Sequence, residues 1–139
     1  MTKKHILCAV DLTERTDKAI AVSVELAKLY GSQLTLVSIV EPLAISNNIY
    51  PNVDQLQLLL EKDAKEKMAA IATKFQFKQE QIIVKTGNPK IEILNIADEL
   101  HVGLIVICDP GHYGIRHQLT GSTTRVIVNS SSCDVYVVR

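Results

Sequence analysis

Short apolar runs rich in β-branched residues alternate along this chain with longer stretches in which apolar residues return every three or four positions. The first run, His5-Ile6-Leu7-Cys8-Ala9-Val10-Asp11, is apolar without strict alternation. That pattern predicts a strand covered on both faces. A helix follows over about 13–30, with Ala19, Val22, Leu26 and Leu29 on one stripe and Ile20, Val24 and Ala27 widening it. Gly31 supplies a left-handed stop. The second strand covers 33–40. Pro42, Asn47, Asn48 and Pro51 mark 41–51 as a loop, yet it carries Leu43, Ile45, Ile49 and Tyr50, so it is expected to pack on the domain or on a partner.

A second helix starts near Asn52, where Asn52 and Gln55 form a capping-box-like pair. Its predicted inward stripe is Leu56, Leu60, Ala64, Met68, Ile71 and Phe75. The third strand falls at about 81–85. Asn88 then suits a helix N-cap and Pro89 the first helical position, opening a third helix to about Leu100 that turns Ile93, Ala97 and Leu100 inward. A fourth strand at 103–108, a glycine-containing loop at 109–120, a last helix from Gly121-Ser122 and a last strand at 135–138 complete the chain.

Strand and helix alternate throughout, which implies parallel strands with right-handed crossovers. The predicted fold class is α/β: an open five-stranded parallel sheet of order 3-2-1-4-5 with helices on both faces, Rossmann-like, as one domain over 1–139. Ligands of such sheets bind at the carboxyl ends of the strands, where the strand order reverses. Here that point lies between the first and fourth strands, next to Asp11 and Cys108.

Composition narrows the function. Lys+Arg and Asp+Glu balance at 15 each, so no basic excess exists to neutralise a nucleic-acid backbone. Trp is absent and aromatic residues are 4%, which removes stacking platforms for single strands. Neither a secretory leader nor a membrane-spanning run is read, so the expected location is cytoplasmic. Cys8, Cys108 and Cys133 show no CxxC or zinc spacing and read as reduced interior thiols. His112 and His117 flank Asp109 without the helical spacing of a metal pair, so no metal is expected. There is no Gly-x-Ser-x-Gly elbow and no Walker A loop. His5 and His101 lie at element edges and are expected to cap or to face solvent.

The segment 104–123, LIVICDPGHYGIRHQLTGST, is laid out as a phosphate site. Glycines allow close backbone approach, and the first turn of a helix offers free N–H groups and a positive dipole end. Ser122 and Thr123 add hydroxyls, and Asp11 can accept from a ribose hydroxyl. The same residues also suit an ordinary strand-to-helix turn.

With these residues in place, the chain resembles the universal stress protein family over nearly its whole length. The opening strand with Asp11, the Thr86-Gly87-Asn88-Pro89 helix start and the terminal strand with Tyr136 all match. The nucleotide-binding branch of that family carries Gly-x2-Gly-x9-Gly-(Ser/Thr). Gly111 falls on its second glycine, Gly121-Ser122 on its third glycine and hydroxyl, and Cys108 on its first. The resemblance implies that Asp11 meets the adenosine, the Ile39 backbone meets the base, and Gly111, Gly121, Ser122 and Thr123 hold phosphate of AMP or ATP. Cys108 brings a side chain to a glycine position, where it is expected to crowd the ribose or oppose a glycine-only backbone. Pro110 withholds a donor, Asp109 repels polyphosphate, and His112 replaces a basic residue, so a monophosphate is expected over a triphosphate. The resemblance also implies a homodimer through the C-terminal edge strand. Three readings stand at this point: a nucleotide-responsive regulator read by an unknown protein partner, a nucleotide-independent homodimer, and a weak phosphohydrolase or thiol-redox enzyme.

Overall fold

The structure, a computed structural model, describes residues 3–43, 52–108 and 121–139. The sequence expectations for Asp109, Pro110, Gly111, His112 and His117, and for most of the 41–51 loop, lie outside the described residues. Nine main elements run β1 (His5–Ala9), α1 (Thr16–Tyr30), β2 (Gln33–Val40), α2 (Val53–Phe75), β3 (Ile82–Thr86), α3 (Pro89–Glu99), β4 (Leu104–Cys108), α4 (Ser122–Ser130) and β5 (Asp134–Val138). The sheet has the order β3-β2-β1-β4-β5, and every neighbouring pair is parallel. Among the described residues no helix is long and apolar enough to cross a membrane.

Strand parity divides the core in two. Ile6 and Cys8 of β1, Leu34 and Leu36 of β2, and Leu104, Val106 and Cys108 of β4 turn to one face, where they meet Ala19, Ile20 and Ala27 of α1 and Met68 of α2. Leu7 and Ala9, Val37, and Ile105 and Ile107 turn to the other, against Ile93, Ile96 and Ala97 of α3 and Ile127 of α4. β1 and β4 are apolar at nearly every position because both their faces are covered. A fully buried side chain such as Ile20, Met68 or Ile127 contributes roughly 1.5–3 kcal/mol by leaving water.

The helix ends follow local chemistry. Gly31 takes φ 64, and Ser32 N–H donates back to the Ala27 carbonyl at 2.8 Å, a Schellman-type stop. Asn88 accepts from Lys90 N–H at 3.0 Å with Pro89 in the first turn.

Three expectations are corrected. On α1, Leu29 lies outside the buried stripe at 73% exposure. Asn52 precedes α2 without a side-chain cap bond. On α2, Leu56 and Leu60 are exposed, and the inward stripe instead runs through Val53, Gln57, Glu61, Ala64 and Met68. His5, at the start of β1, is half-buried, with its Nε2 2.8 Å from Thr35 Oγ1. Burial lowers its pKa, opposed by a hydrogen bond with the Leu100 backbone.

Candidate functional site

β1 ends at Ala9, and Val10 N–H donates to the Val37 carbonyl at 2.9 Å as the last tie to β2. The chain then turns through Leu12, which adopts φ 60, a left-handed conformation that is uncommon for a residue with a branched side chain. Asp11 organises this turn. Its Oδ1 accepts from Thr13 N–H at 3.2 Å, Thr13 Oγ1 at 2.8 Å and Thr16 Oγ1 at 3.3 Å. Its second oxygen has no bond among the described residues, and Asp11 stands on the wall of a cavity.

That cavity measures about 390 Å³ and occupies the carboxyl edge of the sheet on the α3/α4 face. Ala9, Val37 and Ile107 form its floor, Pro89 and Ile93 of α3 one flank, and Gly121 through Thr124 at the start of α4 the other. Ile39 and Glu41 close the β2 side. A larger hollow of about 810 Å³ lies at the opposite end of the strands, around His5, Phe75 and Phe77. It is remote from the strand-order reversal and from any uncapped helix start, so its volume alone does not make it the site.

Two sets of backbone groups that face the smaller cavity have no partner among the described residues. Gly121 precedes α4 with φ −67 and ψ 164 and gives no side-chain cap. The N–H groups of Ser122, Thr123 and Thr124 therefore lack acceptors among the described residues, at the positive end of the helix dipole. On the other side, Val37 bonds toward β1 while Val40 accepts from Gly87 N–H at 2.9 Å toward β3. Since successive residues of a strand bond to opposite neighbours, the N–H and carbonyl of Ile39 point to the β1 side, beyond the last residue of β1. Donor and acceptor there form a free edge suited to a planar heterocycle.

Cys108 changes the sequence expectation. It lies with the α1-side core, and its Sγ sits 3.9 Å from the Arg15 carbonyl. Its thiol is therefore on the face opposite the cavity floor. Nor does Cys108 occur among the described positive-φ residues, which are Leu12, Gln76, His101 and Gly31, so its backbone does not demand glycine. Cys108 belongs to the cavity lining, with its thiol turned toward Arg15. Cys8 is fully buried on the same α1-side face, and its thiol pKa is pushed up to about 12, first by burial, with the Cys108 thiol adding to the rise and the Ser23 hydroxyl opposing it. None of the three cysteines forms a disulfide among the described residues, and Cys133 is half-buried rather than interior.

The structure thus gathers Asp11, Ile39, Cys108, Gly121, Ser122 and Thr123 around one hollow. It adds Glu41, Pro89, Ile93 and Thr124, which sequence reasoning did not assign to the site. Thr124 was accessible as the next residue of the same helical turn, and Glu41 as the same-face neighbour of Ile39. The charged side chains of the described lining, Asp11 and Glu41, are both acidic. Among the described residues no three His, Cys, Asp or Glu side chains cluster as metal ligands.

A sequence model described as "Universal stress protein family" matches residues 3–139. The chain belongs to the universal stress protein family. Universal stress protein A homolog 2 of Coxiella burnetii is 34% identical over 140 residues, covering 98% of this chain and 94% of its own. The universal stress protein UspA from Lactobacillus plantarum superposes with a TM-score of 0.84 at 24% identity, covering 100% and 99% of the two chains. A universal stress protein solved in complex with cAMP shares the fold at a TM-score of 0.58 and 17% identity, covering 100% of this chain and 98% of its own. The family assignment agrees with the 3-2-1-4-5 sheet and with the resemblance carried by the opening and closing strands.

Proposed function

We propose that this universal stress protein is a binding module for an adenosine monophosphate-type ligand, read out by a partner rather than turned over. The observation that carries this reading is one hollow that joins unpaired N–H groups at the start of α4 to the unpaired backbone edge of Ile39, with Asp11 between them. In it the Gly121, Ser122 and Thr123 turn meets a phosphate, Asp11 accepts from a ribose hydroxyl, and Ile39 pairs with the base edge. By family resemblance Gly111 and His112 join the phosphate side. The acidic lining favours a single phosphate over a triphosphate, because Asp11 and Glu41 oppose added negative charge. The cAMP complex of a relative supports a ligand of this charge class. No lysine or arginine stands in the described lining to hold a transferring phosphate, so the module is read as a sensor rather than a hydrolase. The three cysteines, unbridged among the described residues, suit the reducing cytoplasm.

Titration calorimetry of the purified chain tests this. AMP is expected to bind in the micromolar to sub-millimolar range, with adenosine at least ~10-fold weaker and ATP no tighter than AMP. No heat with AMP at millimolar concentration overturns the reading. A second reading, a nucleotide-independent homodimer, is favoured by β5, which lies at the sheet edge with Tyr136 45% exposed. That reading gains if AMP is silent and sedimentation shows a dimer.

A further inference from the structure

The first half of α2 contradicts its own hydrophobic pattern. Leu56, Leu58, Leu59 and Leu60 are exposed, while Gln57 and Glu61 take the inward positions. A rotation of about 100°, one residue of helix, would turn Leu56 and Leu60 inward in place of Gln57 and Glu61, but would also expel Ala64 and Met68 from the core. Ala64 and Met68 therefore set the register, and Gln57 and Glu61 find polar partners at the inward positions it leaves them.

Those contacts form a relay around the ends of two strands. Gln57 Oε1 accepts from Leu43 N–H at 2.8 Å. Gln57 Nε2 reaches Glu61 Oε1 at 3.5 Å, and the same Glu61 oxygen accepts from Thr86 Oγ1 at 3.0 Å. Thr86 pairs with Val40 in the sheet, and Gly87 N–H closes onto the Val40 carbonyl at 2.9 Å. The circuit therefore encloses the exit of β2 from Val40 to Leu43, immediately after Ile39. Of the base-side wall of the cavity, Glu41 lies inside the circuit and Ile39 directly precedes its closure at Val40. β1 gives this part of β2 no support on its other side, because β1 has already ended.

We propose that Gln57 and Glu61 are positioning residues for the base-side wall: through Leu43 and Thr86 they fix the exit of β2, so that the Ile39 backbone edge keeps facing the hollow. This rests on the nucleotide-binding reading for its ligand but not for its mechanics.

The test uses the full chain with Gln57→Leu, Glu61→Leu, the conservative Glu61→Gln, and the near-isosteric Thr86→Val, which removes one hydroxyl and preserves the fold if the leucine variants do not. Two readouts are taken. Amide hydrogen exchange without ligand reports the strand exit: the Leu43 amide is expected to exchange at least ~10-fold faster in Gln57→Leu. Calorimetry then compares AMP with ribose 5-phosphate, which lacks the base. Affinity for AMP is expected to fall ~10-fold in Glu61→Leu and ~3-fold in Thr86→Val, with ribose 5-phosphate unchanged and Glu61→Gln restoring AMP binding. Unchanged Leu43 exchange in Gln57→Leu overturns the proposal. So does an equal loss for both ligands, which marks a general structural role. Wild-type silence toward AMP removes the nucleotide reading and the base-side role with it, while the exchange result still decides whether the relay holds the strand.

Discussion

The two faces of the sheet meet the same carboxyl edge and treat it in opposite ways. On the α1 side, Asp11 Oδ1 gathers three donors from Thr13 and Thr16, Cys108 lies against the Arg15 carbonyl, and Cys8 is sealed beneath. On the α3/α4 side a hollow remains, and the α4 start and the Ile39 edge bring unpaired backbone groups to it. Even within that side the helix starts differ. Asn88 and Pro89 satisfy the first turn of α3, whereas Gly121 leaves the first turn of α4 open. Capacity for a ligand follows the unpaired polar groups and not the volume, since the larger hollow at the other end of the strands has no such helix start.

The largest expected effect comes from closing the open helix start. Gly121 has an extended backbone with negative φ, so aspartate fits there without strain. Gly121→Asp would cap α4 with its own carboxylate and repel phosphate. AMP affinity should fall by about 100-fold or more, roughly 2.7 kcal/mol, while thermal stability holds or rises by about 1 kcal/mol. Affinity within threefold of wild type in calorimetry would show that the α4 start does not hold the phosphate.

A second effect belongs to the sealed face. The Cys8 thiol, with its pKa raised to about 12, keeps its proton in the folded state while an unfolded thiol loses it near ~8.5. The folded chain therefore binds more protons between these values, and stability must fall as pH rises from about 9 toward 12. The slope from this one group approaches ~1.4 kcal/mol per pH unit. Urea melts at pH 8, 9 and 10 should show a shallower alkaline decline in Cys8→Ala than in wild type; parallel declines would place the thiol in a wetter setting than the fold shows.

The smallest effect is the sharpest on the comparison. Cys108→Gly recreates the first glycine of the family's signature. Because the thiol lies on the sealed face, AMP affinity should change by less than about threefold, although stability drops by about 1–2 kcal/mol from the lost side chain and the added chain entropy. A tenfold gain in affinity would mean that the cysteine does intrude on the ligand.

Much of this arrangement is legible in the sequence. Five β-branched runs separated by helical stretches dictate a parallel sheet, and Asp11 and Gly121-Ser122-Thr123 stand at element ends where strand-order logic puts a ligand. The face taken by Cys108 was also within reach, since it shares parity with Leu104 and Val106. α2 was not legible in the same way. Its leucines at 56, 58, 59 and 60 permit more than one helical register, and the one observed seats Ala64 and Met68 in the core while Gln57 and Glu61 meet Leu43 and Thr86, partners that are distant in sequence and come alongside only after β2 and β3 have paired. Local periodicity has no access to such contacts.

The unequal lengths of the two central strands have a consequence of their own. β1 and β2 start level, with His5 opposite Gln33, yet β2 is three residues longer, 8 against 5. At ~3.3 Å per residue this leaves a ledge of about 10 Å of half-paired strand. The reach of the recess is thus written as a chain-length difference. Lengthening β1 by even two residues able to continue the ladder would zip over the ledge and erase the recess without altering any side chain that lines it.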